Sequence, residues 1–216
     1  MGVYDMKSQD FLVLIKLISL QKEELRKIHY PLLKQSHFET NDNYSIYSDI
    51  SLSELYTLRG LGHSLGISKT EISASLRRSI ENNLIIFNDL QSGEIISLSE
   101  MKWQVNKKAL FELVKYAIPY FYPAKHIGLN FGLATGFSSP ILENELTSAG
   151  TLPYVWPSEY GTSYGQAVEP IYKTVPYASK YDDFVYNCFA LIDAYRLGKA
   201  REKDIAIKYI EKELLG

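Results

Sequence analysis

The sequence predicts a mainly α chain with a small β-hairpin wing, followed by a loop-rich region and two C-terminal helices. Three observations predict it. From Leu58 to Leu84, LRGLGHSLGISKTEISASLRRSIENNL, apolar residues recur at helical spacing on both sides of Gly66. Two short β-prone runs follow, Leu84–Phe87 and Ile95–Leu98, joined by a polar loop that contains Gly93. From Ile118 to Tyr181 prolines and glycines stand too close together for long helices, and helical periodicity resumes only at Asp182.

The first observation has the pattern of a helix-turn-helix. Leu58, Leu61 and Leu65 mark one face of a short helix. Gly66 suits the left-handed backbone that closes it. Ile67 fills the angle before the next helix. Ser68 is placed to cap that helix, with Glu71 three residues on to complete a capping box. Ile72, Leu76 and Ile80 recur every four residues as its buried stripe. The opposite face is expected to carry Lys69, Thr70, Ser73, Arg77 and Arg78. A hairpin directly after such a helix is the wing of a winged helix-turn-helix. In that arrangement the second helix enters the major groove of DNA, its first residues nearest the bases. Ser68, Lys69, Thr70 and Ser73 are therefore expected to read bases. Arg77 and Arg78, with Asn88 and Gln91 of the wing, are expected to grip phosphate or the adjacent minor groove. Some winged helices bind only protein, and that alternative stays open.

The remaining elements follow in order. A first helix spans about Ser8 to Ile28, with Phe11, Leu14, Ile15, Ile18, Leu25 and Ile28 on one face and Lys16, Lys22, Glu23, Arg26 and Lys27 on the other. It packs within the chain or against a second subunit. Residues 31–50 are polar and irregular. Ser51 or Ser53 begins a short helix that turns Leu55 inward. After the wing, Trp103 and Val105 are expected in the core. Asn106 precedes a helix from Lys107 to about Ala117, whose apolar face is Ala109, Leu110, Leu113 and Val114. Lys102, Lys107, Lys108 and Lys115 make this stretch basic, either solvated or on phosphate. The segment 118–181 carries too many aromatics for a disordered linker, Trp156 among them, so an ordered, loop-rich segment is expected. Gly128, Gly132 and Gly136 recur in it every four residues, as close backbone packing would require. Helices from about Asp182 to Leu197 and Lys199 to Leu215 close the chain. The domains read from this are 1–117, the winged helix with its long first helix, and 118–216, the aromatic segment with the two-helix region.

Composition bounds the function. A chain of 216 residues holds one large or two small domains. Its longest apolar run, Phe11 to Leu20, is interrupted by Lys16 and is too short to span a bilayer. No basic, apolar and small-residue succession marks a signal peptide. The single cysteine, Cys188, excludes an intramolecular disulfide and a multi-cysteine zinc site. A cytoplasmic protein is expected. His29, His37, His63 and His126 lack metal-ligand spacing. No phosphate loop or nucleophile elbow is present, so neither enzymatic chemistry nor a cofactor is expected. Net charge is −1 over residues 1–50, +2 over 51–130 and −3 over 131–216. The winged-helix region is thus the basic part, modestly so, which suits a limited set of phosphate contacts.

Between Val105 and Arg201 the chain resembles a group of bacterial winged-helix proteins described as MarR-like transcriptional regulators. The matching pieces, in order, are VNKKALFELVKYAIPYFYPA at 105–124, LPYVWP at 152–157, EPIYKTVP at 169–176 and ALIDAYRLGKARE at 190–202. The resemblance implies a DNA-binding regulator, in some cases encoded beside a nucleotidyltransferase-like or toxin-type partner. Two functions are carried forward. One is a homodimer that binds double-stranded DNA and represses a nearby operon. The other is a protein-interaction module, antitoxin-like, that holds a partner encoded nearby through its Tyr-rich half.

Overall fold

The structure, a computed structural model, describes residues 5–29, 52–87, 103–143, 145 and 152–216, with the backbone alone at 24–29 and 52. Among them the chain is mainly helical, with a two-stranded antiparallel pair and a three-stranded mixed sheet. It forms two compact units. One comprises residues up to Asn106 together with Tyr181–Asp183; the other comprises Lys107–Lys180 and Phe184–Gly216.

The first unit is built on α1 (Ser8–His29). Its apolar run leaves no face to water: Phe11, Leu12, Val13, Leu14, Ile15, Leu17, Ile18 and Leu20 are all buried. Each such side chain contributes about 1.5–3 kcal/mol relative to exposure. Lys16, expected on a polar face, is buried too. Its Nζ donates to Asp182 Oδ2 at 2.7 Å, and Ser19 Oγ donates to the same oxygen at 2.7 Å. The two-faced reading of this helix is corrected over Gln9–Leu20, because leucine, valine and isoleucine occupy every side of that run. The helix packs on α2 (Leu52–Leu55), α3 (Leu58–Leu65), α4 (Lys69–Glu81) and β2 (Trp103–Val105).

α3 starts at Thr57, whose Oγ1 accepts from Gly60 N at 3.0 Å, and ends at Gly66, with φ 64° and ψ 34°. A left-handed residue there costs glycine nothing and costs a β-carbon residue about 1–2 kcal/mol. Ile67 N donates to Gly62 O at 2.9 Å and the Ile67 side chain is buried, as its position in the turn predicts. α4 follows at once. The two helices with the intervening turn occupy the residues expected. β1 (Ile85–Phe87) pairs antiparallel with β2, with Ile85 opposite Val105 and Phe87 opposite Trp103. The strand expected at 95–98 lies outside the described residues. Trp103 packs edge-on against Tyr56, with ring centroids 5.9 Å apart.

The second unit opens on α5 (Lys107–Tyr116) and a single turn, α6 (Ile118–Phe121). Three strands follow where the sequence predicts loops: β3 (His126–Ala134), β4 (Tyr154–Pro157) and β5 (Ser163–Val168). β3 runs antiparallel to both others, β4 and β5 run parallel, and each strand pairs with the other two. Gly132 is the reason they approach so closely. A β-carbon there would collide with the Trp156 carbonyl oxygen. Glycine and proline density, which argues against long helices, is here the means of packing short strands.

α7 (Val175–Lys180), α8 (Asp183–Leu197) and α9 (Ala200–Leu215) complete the chain close to the boundaries expected for the last two helices. α9 packs on α5. α8 is attached to the sheet through a buried polar cluster. Asp193 Oδ2 accepts from Trp156 Nε1 at 2.5 Å and from Thr135 Oγ1 at 3.1 Å, while Asp193 Oδ1 accepts from Arg196 Nη1 at 2.5 Å. Arg196 also donates to the Tyr122 carbonyl at 2.7 Å and the Pro123 carbonyl at 3.1 Å. Tyr186 OH donates to the Ala134 carbonyl at 2.8 Å and packs edge-on against Trp156. Burial pushes the Asp193 carboxyl above the usual carboxylate range, against the pull of Arg196 and the other donors.

Candidate nucleic-acid interface

α4 divides into an inner and an outer side. Ile72, Ser75, Leu76, Arg78 and Ser79 face the core, while Ile80, expected to continue the stripe, is half-buried. Lys69, Thr70 and Arg77 are exposed and Ser73 is half-exposed. Residues 69, 73 and 77 follow one another at i, i+4, so their side chains form a single row along about two turns of helix. Short hydroxyls and long cations in one row suit hydrogen bonds to base edges and ion pairs to phosphate.

Ser68, also exposed, is the N-cap: its Oγ accepts from Glu71 N at 3.3 Å. The Glu71 carboxylate does not close the expected capping box; it accepts instead from Gln9 Nε2 of α1. Beside that contact lies the main correction to the expected site. Arg78 points inward. Its Nε donates to Asp10 Oδ2 at 2.9 Å and its Nη2 to Asp10 Oδ1 at 2.6 Å, with Asp10 fully buried. The hydrogen bonds and charge of Asp10 raise the Arg78 pKa further, so the guanidinium is held charged. One residue advances a helix by 100°, which carries Arg78 from the outer row of Arg77 to the inner side. Arg78 is therefore removed from the phosphate-gripping set: its fork is already occupied by a carboxylate. Asn88 and Gln91 lie outside the described residues.

Arg59 on α3 was not singled out by spacing in the second helix alone. It is exposed, as is His63 one turn later. The signal for Arg59 was its i, i+4 relation to His63, opposite Leu61 and Leu65, both fully buried. In a helix-turn-helix the first helix crosses the phosphate backbone, where a cation is useful. Of the basic residues at 102–115, Lys108 is exposed, Lys107 and Lys115 are half-buried, and Lys102 lies outside the described residues.

Among the described residues no group of three His, Cys, Asp or Glu side chains is gathered as a metal site, and no helix is long and apolar enough to cross a membrane. Compared with known proteins, the chain matches no family model, no curated protein and no solved structure.

Proposed function

We propose that the protein is a sequence-specific DNA-binding transcriptional regulator with a winged helix-turn-helix, acting as a homodimer on double-stranded DNA. The sequence pieces that resemble the MarR-like group support this reading. α4 is the recognition helix, with Ser68, Lys69, Thr70 and Ser73 on base edges and Arg77 on phosphate, and Arg59 joins them from α3. No enzymatic step and no cofactor is assigned. The observation that carries the reading is the sidedness of α4. Its inner side is occupied by Ile72, Leu76 and the Asp10-bound Arg78, while a row of hydroxyls and cations faces outward.

A second reading, a protein-interaction module that holds a partner encoded nearby, is favoured by one observation. Tyr116, Tyr120 and Phe121 are exposed by 60, 81 and 76 % at the junction of α5 and α6. Large exposed aromatics of this kind are enriched at interfaces. Selection from a random pool of duplexes by the full chain separates the readings. The regulator enriches a two-fold symmetric motif with half-sites about one helical turn apart. A pool that stays unenriched removes the first reading.

A further inference from the structure

We infer that the β3/β5 ribbon of the second unit is the surface on which two copies of this chain meet. The inference rests on the homodimer reading above and names its interface. β3 pairs with β4 only from Gly132 onward; residues 126–131 pair with β5, while Ser158 N donates to the Phe131 carbonyl and the His126 ring meets that of Tyr154 of β4. One face of this extension is largely apolar, with Gln166 opposite Leu129, and is open to water. Ile127 is 54 % exposed, Leu129 54 %, Phe131 60 %, and Tyr164 of β5 47 %. Leu129 and Phe131 are two residues apart and share a face. Phe131 lies opposite Tyr164, with ring centroids 4.9 Å apart. The other face at these positions carries Asn130 and Gly165.

Three observations select a second copy as the occupant. The first is charge. HIGLNFGLA and SYGQAV contain no Asp, Glu, Lys or Arg, and at the base of the ribbon Lys125 and Glu169 neutralise each other at 3.2 Å. A charged partner finds nothing to complement, while two copies of the face bring no like charges together. The second is area. At about 200 Å² per large side chain, the four residues expose on the order of 450 Å² per copy. Pairing two copies then removes about 900 Å², close to the roughly 1,000 Å² at which specific interfaces begin, before flanking backbone is added. The third is the fate of the other apolar stripes. Those of α1, α8 and α9 are already buried within one chain at Leu14, Leu191 and Ile210.

The docking is face to face. Between His126 and Leu129 β3 carries one residue more than β5, a bulge with Gly128 at φ 102°. A bulge twists an edge away from further strand pairing, so the side chains and not the strand edge make the contact.

Sedimentation velocity of the full chain tests this. The parent should be a dimer at micromolar concentration. Leu129→Lys and Leu129→Glu, each at an exposed position, should separately weaken association by about a hundredfold, since each brings like charges together across a two-fold axis. An equimolar mixture of the two variants should recover the dimer, which two misfolded proteins cannot do. A monomeric parent, single variants that dimerise like the parent, or a mixture that stays monomeric would each overturn the proposal. Duplex selection reports on α4 separately. A ribbon dimer that enriches no sequence refutes the DNA reading alone, and a DNA-selecting protein with an intact dimer after substitution refutes this surface alone.

Discussion

Trp156 offers the sharpest test of how the second unit is held together. Its side chain is 1 % exposed, its indole N–H donates to Asp193 at 2.5 Å, and its ring meets Tyr186 edge-on at 6.0 Å. Trp156→Ala removes a buried aromatic volume, at about 3–5 kcal/mol, and takes one donor from a buried carboxyl. For a chain of this size each kcal/mol moves the thermal midpoint by roughly 2–4 °C, so a fall of about 10–15 °C is expected. Trp156→Phe retains most of the apolar volume and loses only the donor and part of the ring, at about 2 kcal/mol. Urea and thermal unfolding, followed by circular dichroism, measure both variants. An alanine variant within about 1 kcal/mol of the parent would refute the packing argument, because surface substitutions fall in that range. A phenylalanine variant as costly as alanine would assign the whole effect to the Asp193 hydrogen bond.

Two further outcomes follow from the buried charges. Arg78→Ala and Asp10→Ala should each cost about 3–5 kcal/mol, because each leaves a buried charge unpaired, while the apolar pair Asp10→Leu with Arg78→Met should cost clearly less than their sum. Additive costs in urea unfolding would show that the two groups do not act as a pair. Burial raises the Asp193 carboxyl, so the folded state keeps a proton that the unfolded chain has released. The corresponding stability is fully present below about pH 4 and is lost as pH rises through the raised value. The stability of the parent relative to Asp193→Asn should therefore fall from acid toward neutral pH, and a difference that grows instead would contradict the shift.

What the sequence revealed depended on how local the signal was. The turn of α3 and α4 was legible because its determinants lie within a few residues: Gly66 closes one helix, Ser68 caps the next, and Ile67 sits between. The helices after Asn106 and Asp182 were legible for the same reason. The sheet was hidden. Ile127, Leu129, Phe131 and Leu133 alternate as a strand requires, but Gly128 and Gly132 interrupt the run, and Pro153 precedes β4 while Pro157 ends it. Its closure depends on Gly132 meeting the Trp156 carbonyl, a contact between distant segments that no window of sequence contains. Arg78 shows the same limit at the candidate site. Beside Arg77 it reads as a second surface cation, and only Asp10, 68 residues away, turns it inward. Lys16 is drawn into the core by Asp182 in the same manner.

Binding titrations on a selected duplex at several salt concentrations test the central claim, that the outer row of α4 holds DNA, most directly. Arg77→Ala should weaken binding to all sequences and reduce the slope of log affinity against log salt by about 0.9, the contribution of one phosphate contact. Lys69→Ala or Ser73→Ala should instead relax discrimination between selected and unselected duplexes, by about 1–3 kcal/mol where a bidentate contact is lost. Arg78, occupied by Asp10, should leave that salt slope unchanged when replaced together with its partner by Met and Leu. If the Arg77, Lys69 and Ser73 variants all bind like the parent in affinity, slope and discrimination, the outer row of α4 is not the DNA-binding surface.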